Sequence, residues 1–331
     1  MGNVLNWKDV VAQSNQVFGQ FGESKWLPYA KRNVKLPRRN TNELQNVGLG
    51  KFLLLAAMGE SLEANIDVIK KYRHKIDICT CDKGFALLYD HGIIADYVVV
   101  CDCNILFEHI EQHIHKTEGV KLLATPYANP SYTTGWCGDR YFFINQDAIQ
   151  TEKKFLEIFD KGVRVIPAGS NVSNAMLVFF TGSDEYQNIN WGGYEQYILV
   201  GYDYSWRPEG NYYAWKNPKP KRHYMHHRTV LDLNGDMAYT SENLWFSAKW
   251  AYSYITSFKL PVINCSDRGL LFLGLEKNRK LKDVLSQINP DPRSILDVQQ
   301  HYEALRIATI NHQNNQKLFD KSRRYRYDSR R

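Results

Sequence analysis

Between Lys51 and Cys265, short apolar runs alternate with stretches of helical periodicity, and this alternation constrains the fold more than any other feature of the chain. The runs KFLLLAAM, KIDICTC, DYVVVCD, VKLLAT, RYFFI, VRVIPA, EQYILVGYD and LPVINC are apolar on both faces, as strands are when helices cover a parallel sheet on both sides. Helical text separates them. SLEANIDVIKKYR puts Leu62, Ile66 and Ile69 on one face, KGFALLYDHG is closed by Gly92, and ILFEHIEQHIHK, DAIQTEKKFLEIFDKG, NVSNAMLVFFTGS and SENLWFSAKWAYSYITSF follow. The expected fold is a doubly wound, mostly parallel α/β domain over 46–275, with a helical basic segment at 1–45 before it and helices with a basic tail at 276–331 after it. A loop rich in Tyr, Gly and Pro at 126–140 and an aromatic, basic insert at 204–240 break the rhythm.

At 331 residues and 44% hydrophobic, the chain can bury a full core. No run approaches the roughly 20 apolar residues of a membrane span, and MGNVLNWKDVVAQ has no basic segment leading into an apolar one. No membrane span and a cytoplasmic location are the expectations. The six cysteines, Cys79, Cys81, Cys101, Cys103, Cys137 and Cys265, are too sparse for a disulfide scaffold and read as thiols. Of the net charge of +7, five lie in the tail KSRRYRYDSRR, where Lys321, Arg323, Arg324, Arg326, Arg330 and Arg331 face only Asp328. Such a tail suits an anionic or protein partner, although a solvated terminus is the plainer reading. The oligomeric state is not legible.

Ligands of doubly wound sheets bind outside the carboxyl ends of the strands, where strand order reverses. Three kinds of text fall at such ends. In MGES, Gly59 would let backbone approach a ligand and Ser61 would cap a helix, whereas Glu60 would oppose a phosphate. In AGSNVSN, the residues Gly169, Ser170 and Asn171 crowd small hydrogen-bonding groups at a helix start, more than capping needs. In VVVCDCN, a strand continuing to residue 103 would put Asp102 on one face and Cys101 and Cys103 on the other. Cys-x-Cys also lacks the knuckle spacing of structural zinc, so neither zinc nor iron is expected. Asp82 and Asp102, with Lys83 and Asn104 beside them, are better candidates for ribose, base or a divalent ion. His109 and His113 in HIEQH read as a solvated face, whereas KRHYMHHR combines imidazoles with cations and could supply a general base.

The blocks LAAMGESL, CDKGFALL, ADYVVVCD, AGSNVSNAMLVFFTG, YILVGYD and INCSDRG, in this order, resemble the family holding the archaeal hydroxymethyldihydropterin pyrophosphokinase MptE and the flagellar motility accessory factor Maf. Similar blocks occur in bacterial sialyltransferases that use CMP-activated sugars, whose following segment GYDYSWRPEGNYYAW and HHR resemble. The resemblance implies a Rossmann-like domain binding a nucleotide across Gly59, Glu60, Ser61, Asp82, Lys83, Asp102, Asn104, Gly169, Ser170, Asn171 and Asp203. It further implies that Tyr213 steadies a departing phosphate and that His226 or His227 deprotonates an acceptor hydroxyl. Two positions depart from the pattern: Ser205 stands for a second tyrosine, with Tyr204 and Tyr212 nearby, and Gly-Pro-Ser-Leu has become Gly-Glu-Ser-Leu. The implied function is a transferase passing a CMP-activated sugar to a hydroxyl acceptor. An ATP-dependent hydroxymethyldihydropterin pyrophosphokinase, with Mg²⁺ on Asp102 and on Asp82 or Asp203, is the alternative. A non-catalytic assembly module, which Glu60 and Ser205 would suit, is the second.

Overall fold

The structure is a computed structural model that describes residues 23–105, 110–145, 149–159, 162–167, 171–182, 190–210, 214 and 227–289. Its strands are β1 (Phe52–Ala56), β2 (Asp77–Cys81), β3 (Tyr97–Val100), β4 (Lys121–Ala124), β5 (Arg140–Asn145), β6 (Arg164–Ile166), β7 (Gln196–Val200), β8 (His227–Leu231), β9 (Met237–Ser241) and β10 (Val262–Asn264). Eight of them form one sheet in the order β10-β7-β1-β2-β3-β4-β5-β6. Every pairing in it is parallel. The chain winds outward from β1 to β6, then returns to place β7 and β10 on the other side of β1. Strand order therefore reverses between β1 and β7.

Burial explains why these runs are strands rather than short helices. Leu53 to Ala56 and Tyr97 to Val100 are buried without alternation, as sheets covered on both faces require. One cover is the Val172–Thr181 helix, which packs on β1, β2 and β3 and buries every residue from Ser173 to Thr181. A helix apolar on all sides is stable only inside a core. Its Phe179 and Phe180 rings meet Phe143, Tyr97 and Tyr194 edge-on. At the near end, Trp26 of the Glu23–Asn33 helix stacks on Tyr127 at 4.8 Å.

In several places the fold departs from the local pattern. The helix after β1 is two, Glu60–Ala64 and Ile66–Tyr72, broken at Asn65, whose Nδ2 donates to Ser61 O and to Asp267 Oδ2, both at 2.9 Å. Leu62, Ile66 and Ile69 are nevertheless all buried. β3 stops at Val100, so Asp102 and the cysteines beside it do not alternate on a strand. Instead Asp102 Oδ1 accepts from the Asn104 amide at 2.7 Å, the local bond by which Asp favours turns. Residues 110–116 of the expected helix ILFEHIEQHIHK are turns and a 3₁₀ turn, Ile114–Lys116, while 106–109, and His109 with them, lie outside the described residues. His113 is buried rather than solvated, with Nε2 2.7 Å from Asp90 Oδ1. The 126–140 loop holds a helix, Pro130–Gly135, capped by the Asn129 side chain. The 204–240 insert is not all loop: β8 and β9 pair antiparallel, and Trp206 exchanges backbone bonds of 2.9 and 2.8 Å with Tyr239. Among the described residues no helix is long and apolar enough to cross a membrane.

Candidate functional site

β1 and β7 stay paired past the end of the sheet. Ala57 N donates to Val200 O at 2.8 Å and Gly59 N to Gly201 O at 2.9 Å. A Cβ at Gly59 would lie 2.5 Å from Asp203 Cγ, and one at Gly201, where φ is +76°, would strike the Ala57 carbonyl. Gly59 thus allows the close packing of two strand exits. Ser61 is no cap either: Gly59 occupies that position without a side-chain bond. The capping acceptor is Asp203, whose Oδ2 accepts from Ser61 N at 2.8 Å and whose Oδ1 accepts from the Ser61 hydroxyl. Gly201 N in turn donates to Ser61 Oγ at 2.9 Å. Asp203 is fully buried, and burial pushes its carboxyl up to about 7 against the opposing pull of the Ser61 bonds and Arg268. Both of its oxygens are spent inside the fold.

Glu60, the unexpected acid, is held by two arginines. Its Oε2 lies 3.1 Å from Arg207 Nε and 3.5 Å from Arg268 Nη1. Arg207 follows β7; Arg268 follows β10, on a loop fastened to β7 by Leu270 N donating to Asp203 O and Tyr202 N to Ser266 Oγ. Gly269, at φ +105°, allows that loop to touch the Asp203 backbone. Glu209 Oε1 also lies 3.9 Å from Arg207 Nε, so the mouth of the switch point holds two guanidiniums interleaved with two carboxylates. Glu60 is thus a paired carboxylate rather than a bare charge. No periodicity marks Arg207 or Arg268; the available signal is a lone cation in each of the loops SWRPEG and SDRG, both of which follow a strand.

The next strand ends carry Asp82 and Asp102. Asp82 begins the Asp82–Asp90 helix, 4% exposed, and its Oδ2 is buried without a hydrogen-bond partner. Burial raises its carboxyl to about 6, with half-buried Lys83 pulling the other way. Asp102 is exposed, and the Asn104 side chain accepts from Lys25 Nζ at 2.8 Å. Neighbouring strands lie ~4.8 Å apart, so Asp203, Ser61, Asp82 and Asp102 follow one sheet edge over roughly 15 Å. Toward Mg²⁺, exposed Asp102 and the unpartnered Asp82 oxygen are suitable hard ligands, whereas Asp203 is fully buried. Among the described residues no three His, Cys, Asp or Glu side chains are grouped to hold a metal. Cys79, Cys81 and Cys265 are buried thiols whose titration burial pushes up, that of Cys265 to about 12.

The start of the Val172–Thr181 helix reaches the same edge. Asn171 caps it, accepting from Asn174 N at 2.9 Å, and the β7 exit grips it through Tyr202 OH to Ser173 O and Tyr204 OH to Asn174 Oδ1, both 2.6 Å. Tyr204 is therefore committed to the fold, and Ser205 Oγ donates to Asp203 O at 3.2 Å. Gly169, Ser170, Tyr212, Tyr213 and His226 lie outside the described residues, and His227 is placed only as the first residue of β8, its backbone opposite Ser241.

A parallel sheet that reverses between β1 and β7, with polar loops at the adjoining strand ends, defines a Rossmann-like, doubly wound α/β protein. More particularly, the chain belongs to the MptE-like family, whose model, described as 6-hydroxymethylpterin diphosphokinase MptE-like, matches residues 25–209. Among solved structures it is similar to the Maf glycosyltransferase from Magnetospirillum magneticum AMB-1, with a TM-score of 0.58 and 16% identity. That likeness is one of fold, covering 84% of this chain and 40% of that one. No curated protein matches.

Proposed function

We propose that the chain is a nucleotide-dependent transferase whose donor, a CMP-activated sugar of the sialic type, lies along the strand ends from β7 to β3. Family membership and the transferase of like fold support the general class. The carrying observation is the cluster at the switch point, where Arg207 and Arg268 meet on Glu60 beside an edge of polar groups. In this reading His226 or His227 takes the proton of the acceptor hydroxyl, the oxygen attacks the anomeric carbon, and the phosphate departs toward Tyr213 and the guanidiniums. The Gly169, Ser170 and Asn171 loop holds donor oxyanions. The family's description favours a second reading, pyrophosphate transfer from ATP to a pterin alcohol, in which Asp102 and Asp82 would hold Mg²⁺. In that reading Asp203, fully buried with Ser61 on both oxygens, is the least accessible of the three carboxylates. The pairing of Glu60 weighs against one of the two reasons for a non-catalytic module.

A ligand at a hundredfold excess over its Kd adds about 2.7 kcal/mol to the native state, so thermal shift separates the readings. CMP is expected to raise the midpoint without Mg²⁺. A shift by ATP that appears only with Mg²⁺ would transfer support to the pyrophosphokinase, and a panel that shifts nothing would remove both. Once a substrate pair is found, either His226→Ala or His227→Ala should lose at least about a hundredfold in turnover while keeping the donor-induced shift. Full activity in both variants would refute the base assignment.

A further inference from the structure

The carboxylate that departs from the family's pattern has a task that its charge alone would not suggest. Glu60 stands where proline is usual, and its side chain is only 11% exposed. It is the point at which three separate segments meet: its own strand exit, the β7 exit carrying Arg207 and the β10 exit carrying Arg268. Each arginine turns one nitrogen to it, that of Arg207 also lying 3.9 Å from exposed Glu209, whereas a guanidinium carries five N–H donors in a rigid fork. Arg207 is 47% and Arg268 28% exposed, so both remain within reach of a ligand at the crevice mouth. Two like charges so close would repel each other without a shared anion between them.

We infer that Glu60 is a positioning residue that gathers Arg207 and Arg268 into a clamp for a phosphate oxyanion of the donor, an assignment that rests on the crevice being the donor site. Guanidinium forks match phosphate geometry, and two of them on one anchor fix where the phosphate sits as well as attracting it. Charge and positioning then predict opposite signs for one substitution. Replacing Glu60 by a neutral residue makes the mouth more positive, which by charge alone should tighten anion binding. If Glu60 positions the arginines, binding should weaken.

The experiment is calorimetric titration of inorganic pyrophosphate, CMP and cytidine into the full chain and its variants at low salt. Wild type is expected to bind pyrophosphate and CMP. Glu60→Gln should weaken both by about tenfold, and Arg207→Gln with Arg268→Gln by more, with cytidine unaffected by either change. Arg268→Lys should fall between, since it keeps the charge and loses the fork. A folded Glu60→Gln protein that binds pyrophosphate as tightly as wild type, or more tightly, overturns the inference. Should Glu60→Gln not fold, the double arginine variant decides, because both side chains are partly exposed; unchanged binding there overturns it equally. If CMP binds wild type and every variant alike, the donor reading stands and the clamp falls. Pyrophosphate binding that needs Glu60 and both arginines, with no nucleotide bound, upholds the clamp and removes the donor reading.

Discussion

Gly201→Ala is expected to cost on the order of 3–5 kcal/mol of stability and to abolish ligand-induced stabilisation, because it combines two penalties at the switch point. The φ of +76° is strained for any residue with a Cβ, and the added methyl would strike the Ala57 carbonyl where β1 and β7 run on together. Gly50 provides the control. It has φ +73° with nothing within 4 Å of where an added methyl would sit, so Gly50→Ala should pay the conformational penalty alone, about 1–2 kcal/mol. Chemical denaturation of the two variants measures the difference directly. Equal losses would mean that the strand exits are not packed as tightly as the contacts of Gly59, Gly201 and Asp203 require.

The second large effect is a pH dependence set by Asp203. Its carboxyl titrates at about 7 in the folded chain and at about 3.9 when unfolded, so the native state binds the proton more tightly. Its contribution to stability is therefore fully present below the unfolded value and is lost as pH rises through about 7. Asp82 and Asp77, each raised to about 6, act in the same direction. Asp203→Asn imitates the protonated form: its oxygen still accepts from Ser61 N, and its amide can donate to Ser61 Oγ. Unfolding midpoints from about pH 4.5 to about pH 8 should fall with pH in wild type and fall less in the variant, which keeps the contributions of Asp82 and Asp77. The difference at the alkaline end should be on the order of a few kcal/mol. Parallel curves for the two proteins would show that Asp203 ionises at no cost, contrary to its burial between Ser61 and the Gly269 loop.

What the sequence by itself determined is the local part: which runs are strands, which stretches are helices, and hence a doubly wound domain with its polar residues at strand ends. Apolar runs and helical periodicity are properties of a few adjacent residues, so β1 to β7 and β10 could be anticipated to within three residues at their ends. The break at Asn65 and the early end of β3 escaped because side-chain bonds, Asn65 to Ser61 O and Asp267, and Asp102 to the Asn104 amide, overrode the local pattern. Tertiary structure alone decided the roles at the site. Gly59 shows its packing role only with Gly201 beside it, Ser61 reads as a cap until Asp203 takes that part, and Glu60 as a bare charge until two arginines arrive. Those partners lie 140 to 208 residues away in the chain. Whether a carboxylate repels a phosphate or organises cations around one depends on its neighbours in space, and strand order, not sequence spacing, chose them.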